Sequence, residues 1–302
     1  MKLKFFLVSL SIFNLIFAVE LDDFDDHLQK NSGNNTSGWN ADGKISSRFN
    51  QNHMSNWSTG SKSVISFNGS MNLSLGYKKN KFMSETALDL DYGLLKKIKQ
   101  GDLIKSDDRF EIDSKYGFKT GKHWYYVGAI NFESQMFNGY KHEGDSLLIS
   151  APLAPAYITS SLGFNYQYGN NFSLLISPTT VKITTVFNKT LSEKGLFGVK
   201  KGSRYKGEFG GYIKTKFKKE IVKNIKINNK LKFFSKYFYK TKNVNIDANW
   251  EVLLSLNVNE YISVDINTVL IYKDEIKNTQ SINIKKKLQF KENFGIGFNY
   301  DF

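Results

Sequence analysis

The chain of 302 residues has no cysteine, only three prolines and only four histidines. Without cysteine there is no disulfide framework, no thiolate metal site, no cysteine nucleophile and no cysteine-linked lipid anchor. After the first twenty residues no apolar run approaches the roughly 20 residues that a transmembrane helix needs, and the mean hydropathy is -0.39. A helical membrane protein is thereby excluded. A phosphate-binding glycine loop is missing too, because Lys201-Gly202-Ser203 lacks the upstream glycine of that motif.

Aromatic rings and positive charge are abundant. Phe and Tyr number 25 and 16, and 42 Lys and Arg against 28 Asp and Glu give a formal charge of +14. Such a balance can mark a nucleic-acid partner. Here the lysines are spread through alternating segments, so they are read as solvated faces and lumen lining, and no nucleic-acid partner is expected.

The end of the chain organises the rest. Phe294, Ile296, Phe298, Tyr300 and Phe302 are large and apolar, while Gly295, Gly297, Asn299 and Asp301 between them are small or polar. That is strict period two, a strand with one oily face. It resembles the C-terminal recognition strand of bacterial outer-membrane β-barrels, in which Phe302 would act as the assembly signal.

At the other end, Lys2 and Lys4 precede an apolar stretch from Phe5 to Phe17 and a small Ala18, the pattern of a secretory signal peptide over 1–18. Its removal lowers the charge from +14 to +12, by the loss of Lys2 and Lys4. Residues 19–38 are acidic and then rich in Asn, Ser and Gly, and read as a flexible leader. Asp22, Asp23, Asp25 and Asp26 beside His27 match no calcium-loop spacing.

Residues 39–302 predict an all-β, closed antiparallel transmembrane barrel of about twelve strands. The expected strands are 41–51, 64–77, 82–93, 108–118, 123–136, 156–168, 171–187, 204–217, 225–239, 244–257, 261–273 and 283–302. They reach the roughly 9 to 11 residues that cross a bilayer at a tilt. Tight turns near 78–80, 119–122, 169–170, 218–223 and 257–260 alternate with mostly longer loops near 52–62, 94–107, 138–154, 188–203 and 274–282, with 240–243 a short exception. In 171–187 the apolar positions are even before Pro178 and odd after it, which predicts a bulge at Ser177–Thr179.

Several motifs are similar to those of uncharacterised outer-membrane β-barrel proteins of Bacteroidota that carry a domain-of-unknown-function label. They are Ser55-Asn56-Trp57, the run from Leu88 to Lys96, Lys105-Ser106-Asp107-Asp108, Lys122-His123-Trp124-Tyr125-Tyr126, Leu153-Ala154-Pro155-Ala156-Tyr157, Asn249-Trp250-Glu251-Val252 and Gln289-Phe290-Lys291-Glu292. The run Phe233-Phe234-Ser235-Lys236-Tyr237 departs from that pattern in having Lys where Asn is expected. The resemblance implies fold and location only, with no activity and no catalytic residue; the expected partners are outer-membrane lipids and, through the C-terminal strand, the barrel-assembly machinery.

A Ser-His nucleophile needs the two side chains in hydrogen-bond reach and a third group to orient the histidine. His27 falls in the leader, His53 at a loop edge, His123 in a short turn and His142 in a long loop, and His53 with Ser55 or Ser58 is the best of a poor set. No enzyme activity, cofactor or metal is expected. Where apolar residues face lipid, their neighbours face inward. That assigns Lys214, Lys216, Lys226, Lys230, Lys232 and Lys236 to a basic lumen wall, and Glu85, Asp89, Asp91, Glu111 and Asp113 to an acidic one, with Arg109 and Lys115 placed to pair with them.

The expected function is a small-solute, porin-like channel with a polar, partly basic lumen and an anion preference, its two walls staying apart. The alternative is a plugged barrel whose walls meet and which acts through its surface loops, and a barrel-embedded hydrolase ranks third.

Overall fold

The computed structural model describes residues 38–52, 64–97, 103–140, 147–238, 246–273 and 287–302. The signal peptide over 1–18, all of the leader except Gly38, and His27, His53 and His142 lie outside the described residues.

Twelve antiparallel strands close a ring: β1 (Gly38–Asn52), β2 (Val64–Lys79), β3 (Phe82–Lys97), β4 (Leu103–Lys119), β5 (Trp124–Ser134), β8 (Ala156–Tyr168), β9 (Phe172–Thr185), β10 (Tyr205–Val222), β11 (Ile225–Lys236), β12 (Ile246–Asn257), β13 (Ile262–Lys273) and β14 (Lys287–Asp301). Two short strands, β6 (Gly139–Tyr140) and β7 (Leu148–Ser150), pair separately between β5 and β8. Each ring strand pairs with its sequence neighbours, and β1 pairs with β14 to close the seam.

The period-two pattern fixes which side chains face out. On β14 the even residues point outward, and Phe294 and Ile296 are each 63% exposed. The odd residues Gly295, Gly297 and Asn299 are buried inside. The seam is short, running from Lys44↔Asp301 to Phe49↔Ile296. Phe302 extends it through Gly43 N–H to Phe302 O at 2.7 Å and Phe302 N–H to Gly43 O at 2.9 Å. Its ring lies over Gly43, where a Cβ would stand 2.3 Å from a ring carbon.

Several strands outrun their sequence patterns. β4 begins at Leu103 and β3 continues to Lys97, so most of the loop expected over 94–107 is sheet. The reason is a bulge: Gly93 pairs with Asp107 but Leu94 pairs with Lys105, leaving Ser106 extra and breaking the alternation that marks a strand. Likewise β10 runs to Val222, through charges expected in a turn, and the turn itself is Lys223–Asn224. β11 stops at Lys236 rather than 239. The connection expected over 188–203 holds a short helix α1 (Lys189–Glu193) and a single 3₁₀ turn at Leu196–Gly198.

The Pro178 bulge is present. Thr180 pairs with Gly210 and Ser177 with Tyr212, so β9 carries one residue more than β10 across this interval. Side-chain hydroxyls bond to the backbone on both sides of it. Ser177 Oγ donates to Leu162 O at 2.7 Å on one side, and the Tyr237 hydroxyl donates to Pro178 O at 2.7 Å on the other. Gly163 allows the bulge to press in, since a Cβ there would meet Ile176 O at 2.2 Å.

Candidate functional site

The parity that sends rings outward sends charges inward, and the inward charges meet. Glu111 on β4 is fully buried, at 0% exposure. Its Oε1 accepts from Lys232 Nζ at 2.7 Å and Asn131 Nδ2 at 2.6 Å; its Oε2 accepts from Lys230 Nζ at 3.1 Å and from the Arg109 guanidinium. Arg109 also reaches Glu251 at 3.0 Å, and Lys230 reaches Asp89 at 3.5 Å.

Ring order gives these contacts their meaning. Five strands separate β4 from β12 by either route, and five separate β3 from β11. Arg109–Glu251 and Lys230–Asp89 therefore join opposite walls. A second layer lies toward the termini, where Lys214 pairs with Asp113, Lys216 reaches Asp113 at 3.3 Å and Glu85 at 3.7 Å, and Lys115 pairs with Glu85 at 3.0 Å. A cavity of about 20 Å³, room for roughly one water, remains among Glu85, Asp113, Lys115, Asn165, Lys214 and Lys216. A third layer lies toward the other end, where Lys182 binds Asp247 at 2.6 Å and Lys273 Nζ donates to the Tyr157 hydroxyl at 3.1 Å.

The residues assigned from sequence divide as follows. Lys214, Lys216, Lys230 and Lys232 hold inner carboxylates, and Lys236 pairs locally with Glu208 of the adjacent strand at 2.6 Å. Lys226 is exposed, in the first turnward residues of β11. Glu85, Asp89, Glu111 and Asp113 are bridged by lysines, whereas Asp91 faces Arg109 across the β3–β4 ladder.

The pattern overlooked Glu133, Glu251, Asp247, Lys182 and Glu208, all members of the network. The signal was available: Asp247 and Glu251 alternate with the outward Ala248, Trp250 and Val252.

His123 packs against the rings of Tyr166 and Tyr168, at 5.6 and 5.2 Å between centroids. Among the described residues no group of three or more His, Asp and Glu is disposed to hold a metal ion.

On the outside, rings form a girdle at the end that holds both Gly38 and Asp301. Trp39, Tyr77, Phe82 and Phe118 follow one another at 4.7, 6.2 and 5.4 Å between centroids, and Trp124, Tyr166 and Phe172 at 5.2 and 6.2 Å. Toward the opposite end Phe209 meets Tyr237 at 5.5 Å and Phe238 at 6.4 Å.

Residues 49–140 match the sequence profile of a family described as "Protein of unknown function (DUF3078)". No curated protein matches the chain. Among solved structures, the translocator domain of the autotransporter NalP from Neisseria meningitidis is 7% identical, with 90% of this chain and 92% of that one covered and a TM-score of 0.37. An outer membrane channel from Pseudomonas putida F1 is 8% identical, with 88% and 95% covered and a TM-score of 0.42. Salmonella typhi OmpF is 10% identical, with 90% and 99% covered and a TM-score of 0.29. With likeness this distant, the barrel assignment stands on the strand register itself.

Proposed function

We propose that this chain is an integral barrel of the bacterial outer membrane whose lumen is closed at rest by its own ion pairs, and which acts through the loops at the end opposite the termini. The carrying observation is that Arg109–Glu251 and Lys230–Asp89 join strands on opposite sides of the ring. A free path for solutes along the axis requires these pairs to part.

The membrane part of the reading rests on the exterior. Outward rings and aliphatic side chains between two aromatic zones form the surface that a bilayer covers, and twelve closed strands leave no edge to be satisfied in lipid. An even number of crossings brings Gly38 and Phe302 to one end, and the tight turns at that end, such as Lys223–Asn224, favour the periplasmic side for it. The exposed face of β14, with the Phe302 ring beside it, is the surface offered to the assembly machinery. The hydrolase candidate His53 lies outside the described residues, and the described His123 packs against tyrosine rings.

Planar-bilayer recording tests the reading. The wild-type protein is expected to insert without steady conductance. A stable ohmic conductance, with the reversal potential of an anion-preferring pore under a salt gradient, would instead establish the channel reading.

A further inference from the structure

We propose that the folded connection between β9 and β10 binds the phosphorylated headgroup of an outer-leaflet lipid against this sector of the barrel. The inference rests on the membrane insertion and orientation argued above.

The connection is built rather than loose. Asn188 Oδ1 accepts the Leu191 N–H at 3.1 Å and opens α1. Ser192 Oγ donates to Ser203 O at 2.8 Å, and Gly202 N–H returns to Ser192 O at 2.9 Å. Leu191, Leu196 and Val199 pack with Val186, Ala151 and Ala154 into a core of their own. The Val186 N–H to Arg204 O bond, at 2.8 Å, carries the β9–β10 ladder into its base.

On this frame stand Lys189, Lys194, Lys200, Lys201 and Arg204, all exposed, against a single acidic residue, Glu193, which lies 4.0 Å from Lys189. Five cations held by a packed scaffold lose little freedom on meeting an anion, which favours binding.

The second observation lies directly below. Tyr205 is 71% exposed on the outward face of β10, followed by outward Phe209, which contacts Tyr237 and Phe238. Rings of this kind settle at the boundary between hydrocarbon and headgroups. Cations immediately beyond such a boundary stand where the phosphate of a lipid stands, and an anionic membrane surface attracts nearby basic side chains. A free phosphate ion would use the cations and leave the rings without a role.

Native mass spectrometry of the full chain, purified in an uncharged detergent and offered a phosphomonoester lipid beside phosphatidylcholine, tests the proposal. Wild type is expected to retain the phosphomonoester lipid selectively. The variant Lys200→Gln, Lys201→Gln, Arg204→Gln is expected to lose about fivefold in retention per cation removed, corresponding to the ~1 kcal/mol that a basic side chain near an anionic surface contributes. Its heat-modifiable gel mobility is expected to stay that of wild type, because all three side chains are exposed.

Lys119→Gln with Lys122→Gln, in the tight turn at the other rim, serves as the control. Equal losses from both rims, or no selectivity in wild type, overturns the proposal. Displacement of the lipid by inorganic phosphate at matched concentration also overturns it, in favour of a free-anion site. If the chain does not enter lipid vesicles at all, the membrane reading falls, a result distinct from insertion without selective retention.

Discussion

Replacing Glu111 by glutamine probes the network at its centre. The carboxylate accepts four donors, from Lys232, Asn131, Lys230 and Arg109. Glutamine keeps the shape but turns one oxygen into an NH₂ donor, so two of those donors lose their acceptor. Each hydrogen bond to a charged group contributes about 1.5–3 kcal/mol. Arg109 keeps Glu251, Lys230 keeps Asp89 and Lys232 keeps Glu133. The net loss is therefore set at about 3 kcal/mol, the low end for breaking a buried ion pair.

The control is Glu193→Gln on α1, where the partner Lys189 is 4.0 Å away and both side chains are exposed; its effect is expected below about 0.5 kcal/mol. Urea unfolding of the barrel in lipid vesicles, followed by fluorescence of its four tryptophans, measures both. A double-mutant cycle of Glu111→Gln with Lys232→Met isolates one pair, with an expected coupling above about 1 kcal/mol. If Glu111→Gln unfolds at the wild-type midpoint, or shifts no more than the control, the network does not hold the walls and the reasoning fails.

Tyr237→Phe removes the donor to Pro178 O and is expected to cost about 1 kcal/mol, the ordinary contribution of one such hydrogen bond; an unchanged urea midpoint would count against the bulge account. Gly43→Val places methyl groups where the Phe302 ring lies, so the fraction of chain that inserts into vesicles should fall, as it should on deleting Phe302. Normal insertion of both variants would remove the ring from any role in closing the seam. Trypsin applied to intact cells should cut at Lys200 or Lys201 and spare Lys122, and the opposite pattern would invert the orientation.

Alternation made the barrel legible because an apolar exterior and a charged interior impose period two on nearly every strand. The reading failed where the backbone departs from that period. Ser106 is an extra residue in β4, and it disguised 103–107 as loop; Pro178 is also an extra residue, but proline announces itself and the bulge was placed correctly. The helix α1 is five residues long and carries no apolar stripe, so nothing in its sequence separates it from an ordinary loop. Both charged walls were visible, yet which lysine meets which carboxylate depends on the register of strands far apart in the chain, as with Lys232 and Glu111, 121 residues distant.

Strand number and tilt set the circumference of the ring and leave its cross-section open. Twelve strands spaced about 4.8 Å apart and tilted roughly 40° give a circumference near 75 Å, so a circular barrel would measure about 24 Å from Cα to Cα. An arginine and a glutamate reach roughly 7 and 5 Å from their Cα atoms, and with the 3.0 Å contact between Arg109 and Glu251 they span only about 15 Å. Lysine is no longer, so Lys230–Asp89 imposes the same limit. The ring is therefore narrowed along the line joining β3 and β4 to β11 and β12, which supports the lumen closure proposed above. A circular ring of the same twelve strands, its charges rearranged so that like faces like across the axis, would keep every outward residue and every ladder bond unchanged. The difference between a plugged barrel and an open one thus lies in the pairing of about eight inward side chains, which the alternation of the sequence does not encode.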